Sequence, residues 1–148
     1  MAAVTFKTLL NITGLSTQDA ANYLSLSKDT IQSYAVGRRT PPQEVLDKLT
    51  KLIDKIERIA KISAAQANQI AKEQGTPAEA IELAVRVETL PKSCYQTLAV
   101  LIHSQTNVAV KLVPPNSTLT ARIAFEVRTE NERLYDQYSN HRQSNDKE

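Results

Sequence analysis

The chain has 148 residues, 41% hydrophobic and 5% aromatic with no tryptophan, enough for one ordinary domain or two small ones around an aliphatic, alanine-rich core. The formal net charge is +2, so bulk electrostatics announces no polyanionic partner, although residues 1–62 carry nine Lys/Arg against six Asp/Glu and residues 63–148 nine against ten. Cys94 is the single cysteine, which excludes an intrachain disulfide and fits a reducing cytosol as a buried, inert thiol; with no bilayer-spanning run and no signal-peptide pattern, a soluble cytoplasmic chain is expected.

Val4 to Ile12 reads as a first helix with Phe6, Leu9 and Leu10 on its apolar face, closed by Asn11 to Gly14. Thr17 to Leu24 places Ala20, Ala21 and Leu24 at helical spacing, so a short second helix buries one face. Ser25-Leu26-Ser27 breaks it, with Leu26 as an apolar plug and Ser27 positioned to cap the next helix by accepting an orphan backbone N–H. That helix, Lys28 to Val36, turns Ile31 and Tyr34 or Ala35 inward and Lys28, Asp29, Gln32 and Ser33 outward; Gly37 ends it, and Arg38 and Arg39 follow.

Two short helices joined by a tight turn form a helix-turn-helix, whose first member braces on the DNA backbone while the second enters the major groove. The outward residue types suit that role. Lys28 matches guanine edges, Gln32 adenine and Asp29 the cytosine amine, with Ser33 completing the base-reading set. Thr17, Gln18, Thr30, Arg38 and Arg39 are the candidate phosphate-binding residues, since hydroxyls, amides and guanidinium groups there fix register on the backbone. The stretch resembles the phage-repressor and Cro class of helix-turn-helix proteins, also called the xenobiotic-response-element class. The resemblance rests on Leu15-Ser16, Ala21, Leu24, Leu26-Ser27, Thr30-Ile31, the aromatic Tyr34, Gly37-Arg38-Arg39 and Pro41, and covers roughly Thr5 to Leu52. Thr17 stands where that class often has glutamine, and Ser25 where it usually has glycine, so Ser25 must adopt or avoid a left-handed backbone. In proteins of that class the first helix packs behind the pair, which gives Phe6 and Leu10 core roles. The resemblance further implies a DNA-binding homodimer.

Thr40-Pro41-Pro42 reorients the chain, with Pro42 suited to the first turn of the following helix. From Gln43 to about Gln74 there is no proline or glycine, and Val45, Leu49, Leu52, Ile56 and Ile59 recur at alternating spacings of four and three. Leu46, Ile53, Ala60 and Ala67 form a second row, so the apolar stripe is too wide for a two-stranded seam; a break near Ser63-Ala64-Ala65 is the alternative to one continuous helix. Lysines 48, 51, 55 and 61 lie mostly off the stripe, as a solvated face.

Gly75 stops that helix, and Thr76-Pro77-Ala78-Glu79 has the form of a capping box, predicting a helix with Ile81, Ala84 and Val85 inward. After Leu90-Pro91, Lys92 to Ser104 reads as a short helix with Cys94 or Tyr95, Leu98, Leu101 and Ile102 inward. Asn107 to Val113 and Thr118 to Val127 are rich in β-branched residues and flank Pro114-Pro115-Asn116-Ser117, a β-hairpin signal. The tail after Arg128 is polar, and its last ten residues have the composition of disorder.

The expected architecture is mainly α with a C-terminal β-hairpin: a helix-turn-helix DNA-binding domain (1–62), a long connecting helix, a small α+β dimerisation or interaction region (63–130) and a polar tail (131–148). No nucleophile elbow, phosphate-cradling loop or paired-carboxylate motif is present; His103 and His141 lack companions at metal spacing. Neither an enzyme, a cofactor nor a metal is expected. The function expected is a sequence-specific transcriptional regulator, a homodimeric repressor reading a pseudo-palindrome in double-stranded DNA. The second reading is an antitoxin-like protein that binds a protein partner, such as a toxin, through the long helix and hairpin.

Overall fold

A computed structural model describes residues 2–75, 80–86, 90–113 and 123–128. The protein is mainly helical with one small parallel sheet: α1 (Ala2–Thr13), α2 (Thr17–Leu24), α3 (Lys28–Val36), α4 (Gln43–Gln74), β1 (Ile81–Arg86), α5 (Cys94–Gln105), β2 (Val110–Val113) and β3 (Ala124–Arg128). Among the described residues no helix is long and apolar enough to cross a membrane. The chain divides into two compact units, residues 1–61 with 89–104 and residues 62–88 with 105–148. The described residues 90–104 thus cluster with the N-terminal helices. The first unit carries ten Lys/Arg against six Asp/Glu and the second eight against ten.

In the first unit Phe6 of α1 is fully buried and meets Tyr34 of α3 edge to face, with ring centroids 5.4 Å apart and planes at 74°. Such a pairing fixes the angle at which α3 lies on α1 as well as burying area. Leu10 is only half-buried, so Phe6 is the anchor of this face. Ala20, Ala21 and Leu24 of α2 and Ile31 of α3 close the core with Val45, Leu49, Leu52, Ile56 and Ile59 of α4. The spacing of four and three predicted that last row, because 3.6 residues per turn returns those positions to one face. α4 is unbroken from Gln43 to Gln74, and Ser63 and Ala64, where a break was the alternative, are buried.

α5 docks on the turn between α1 and α2. Gly14 has φ +78°, and a Cβ placed there would lie 2.6 Å from Thr97 Oγ1 and 2.9 Å from the Ser93 carbonyl oxygen. Only glycine meets both the backbone conformation and the approach. The Ser93 backbone N–H and hydroxyl both donate to the Asp19 carboxylate, at 3.1 and 2.6 Å, and the Ser16 N–H donates to Ser93 Oγ at 3.1 Å. α5 buries Cys94, Leu98 and Ile102.

The second unit corrects two sequence expectations. Residues 81–86 are a strand, not part of a helix opening at Thr76; the proposed cap, residues 76–79, lies outside the described residues. Ile81 to Val85 are buried without interruption, as in a central parallel strand covered on both faces. A run of that kind has no period, and Ile81, Ala84 and Val85 match helical spacing by default. Among the described residues the expected hairpin pairing is not formed. β2 and β3 are strands as their composition suggested, but each pairs in parallel with β1, which lies between them in the order β2–β1–β3. The ladders set Ile81 opposite Val110 and Glu82 opposite Ala124. Parallel pairing needs a crossover of a dozen or more residues, and the connection from β1 to β2 runs through α5. The proposed turn at residues 114–117 and the polar tail 131–148 lie outside the described residues. Ala71, Ile81 and Ile123 form a buried cluster in this unit, with Ile70 and Val108 packed on it. Asn68 ties the helix to the loop before β2: its amide donates to the Gln105 carbonyl and its side-chain oxygen accepts from the Asn107 N–H.

Candidate nucleic-acid interface

The pair α2–α3 is built from local signals that repeat. Ser16 precedes α2 and Ser27 precedes α3; both have extended backbone, and each hydroxyl accepts the N–H three residues on, from Asp19 and Thr30 at 3.1 Å. Each cap satisfies one of the four orphan donors of a helix start. Ser25 closes α2 in the left-handed region, φ 56° and ψ 44°, and is the one non-glycine residue of positive φ among the described residues. Its conformation lets the Leu26 N–H reach the Ala21 carbonyl at 3.0 Å, which holds the turn tight. Gly37 closes α3 at φ 86°.

Helix α3 has two unlike faces. Ile31 and Tyr34 are buried and Thr30 is half-buried, whereas Lys28, Asp29 and Gln32 are exposed. Among the described residues the side chains of those three make no hydrogen bond or ion pair, so their donors and acceptors face water. Ser33, expected with them, is 3% exposed and does not belong to this face. The backbone N–H groups of Gly37, Arg38 and Arg39 turn back onto the Ser33 carbonyl, the latter two at 2.9 and 3.2 Å.

The expected phosphate-binding residues fall into distinct situations. Arg38 and Arg39 are both exposed. The Arg39 guanidinium lies 3.5 Å from Thr30 Oγ1, which shares a 2.8 Å hydrogen bond with the capping Ser27 hydroxyl. A cation, two hydroxyls and the positive end of the α3 dipole thus converge at one edge of the helix. Thr17 is half-buried in the first turn of α2, and the exposed Gln18 donates its amide to Asn22 Oδ1 at 3.0 Å. These two are on α2, while the other three belong to α3 and the loop that follows it.

Two features of this region were not anticipated. One is Val36, 68% exposed at the end of the α3 outer face, visible in hindsight as a residue eight positions after Lys28. The other is the Asp19–Ser93 contact, which no local pattern announces because 74 residues separate the partners. Next to it burial, reinforced by the Asp19 charge, pushes the Cys94 thiol up to about 12, so it stays protonated and unreactive at neutral pH. Tyr23 is shifted upward as well, by burial first and Cys94 second.

No family model matches this chain, and no curated protein matches its sequence.

Proposed function

We propose that the protein is a sequence-specific DNA-binding transcriptional regulator, a cytoplasmic homodimeric repressor in which α2–α3 acts as a helix-turn-helix. The observation that carries this reading is the outer face of α3. Lys28, Asp29 and Gln32 stand exposed and unengaged on a short, doubly capped helix, beside the exposed Arg38 and Arg39. A lysine, a carboxylate and an amide in one row match guanine, cytosine and adenine edges in the major groove. The net positive count of the surrounding unit supports the same partner. Thr30, Arg38 and Arg39, with Thr17 and Gln18 on α2, take phosphates and set the register; Ser33 is not among the base readers. One such face is too small to select a site in a genome, so two copies read a pseudo-palindrome.

The decisive experiment is selection of bound fragments from random DNA at near-physiological salt by folded full-length protein. Enrichment of a pseudo-palindrome with half-sites about 10 base pairs apart is expected. Enrichment of no sequence would end the regulator reading. Arg39→Ala should weaken binding to every sequence alike and reduce the salt slope by about one; an unchanged slope would show that Arg39 meets no phosphate.

A further inference from the structure

Helix α3 leaves one large apolar side chain in water: Val36, 68% exposed. Single apolar residues on a surface are ordinary, and Ile12 and Val100 are others in this unit. The position of Val36 sets it apart. At 3.6 residues per turn Lys28, Gln32 and Val36 follow one another at intervals of four along one row, and Asp29 lies about 20° around the helix from Val36. Gly37, Arg38 and Arg39, all exposed, continue from it. The side chains around it are polar or charged, three cations (Lys28, Arg38 and Arg39) against the one carboxylate of Asp29, a balance that suits a polyanion and not the apolar patch a protein partner would require. Within the major groove the apolar group on offer is the 5-methyl of thymine.

Resting on the regulator reading above, we propose that Val36 is a further base-contacting residue, seated on the methyl group of a thymine in each half-site. Eight residues at 1.5 Å separate it from Lys28 by about 12 Å along the helix axis. With base pairs about 3.4 Å apart, the thymine lies three to four base pairs from the pair that faces Lys28, with Gln32 reading between them. The outer face of α3 thus specifies chemistry in order, a guanine edge, an adenine edge and a methyl group.

The test uses full-length wild type and Val36→Ser, with Val36→Asn as a second variant should the first fail to fold. Each is taken through the same random-DNA selection. Each is then titrated against the enriched wild-type site with thymine, or deoxyuridine lacking only the methyl group, at the candidate position. The wild type should lose about fourfold in affinity with deoxyuridine, the worth of one buried methyl group. The variant should bind both sites equally and enrich no thymine there. Equal loss in both proteins, or the same thymine preference in the variant, would overturn the assignment of Val36. A variant that keeps the preference but changes sedimentation would overturn it too, in favour of a protein contact. If the wild type enriches no site at all, the regulator reading falls first; a wild-type site whose thymine is indifferent to position 36 removes this inference alone.

Discussion

Helices α2 and α3 are nearly the same length, open on a serine cap and carry one aspartate in the first turn, yet they use their side chains in opposite ways. In α2 the apolar residues are buried, Asp19 is held by Ser93, and Gln18 bonds Asn22. In α3 Lys28, Asp29, Gln32 and Val36 stand in solvent, the three polar ones with no intramolecular bond among the described residues. Local helix chemistry therefore does not decide what a helix is for. What decides it is whether its hydrogen-bonding groups are satisfied within the protein or left for something else.

That contrast predicts that substitutions in α2 act on stability and those on the outer face of α3 act on recognition. The largest effect should come from Leu24→Ala, which empties a buried site between the helices. A loss of about 2–5 kcal/mol in urea unfolding is expected, and a loss below 1 kcal/mol would show α2 to be loosely packed. Next is Asp19→Ala, which strips two donors of Ser93 of their acceptor and should cost about 1–3 kcal/mol. Hydrogen exchange in α5 should rise with it; unchanged protection of α5 would mean that this contact does not hold the helix.

A smaller and pH-dependent effect attaches to Cys94. Its folded pKa is pushed from 9.0 to about 12 by burial and then by Asp19. The unfolded chain sheds the thiol proton from about pH 9 and the folded chain only near 12, so the unfolded state binds fewer protons in between. The stabilisation is fully present below pH 9 and is lost as pH rises toward 12. Unfolding free energies measured from pH 7.5 to 10.5 should fall more steeply for wild type than for Cys94→Ala, by at most about 1.4 kcal/mol per pH unit. Parallel curves would mean that the thiol titrates freely in the folded protein.

The helices of the first unit were legible in the sequence because their signals are local. Ser27 and Gly37 mark the ends of α3, and the rows of α4 repeat often enough to fix its face. The exposure of Lys28, Asp29 and Gln32 followed from the same periodicity. The second unit was not legible in that way. β1 is buried on both faces, so Ile81 to Val85 carry no alternation, and the proline after Thr76 suggested a helix start instead. β2 and β3 were recognisable as strands, but proximity in sequence favoured pairing them together. Their actual neighbour, β1, precedes them by some thirty and forty residues in register, a choice that no adjacent turn encodes. Ser33 illustrates the same limit within the candidate site. Its place on the helical wheel is outward, yet it is 3% exposed, and the periodicity of α3 alone does not announce that burial.

Gln32 and Ser33 are therefore the sharpest pair for separating recognition from packing, adjacent in sequence and opposite in environment. Gln32→Ala removes an exposed amide and should leave unfolding within about 0.5 kcal/mol of wild type. It should relax base preference at one position of the selected site by about 1–3 kcal/mol. Ser33→Ala alters a buried side chain and should leave the selected sequence unchanged, with any effect confined to stability. Both variants belong in one selection experiment against wild type, with the unfolding curve of each recorded alongside. If Ser33→Ala relaxed the preference while Gln32→Ala did not, the reading face would have to be rotated toward Ser33. The loop from Gly37 to Arg39, which folds back onto its carbonyl, would then have to lift away when DNA is bound.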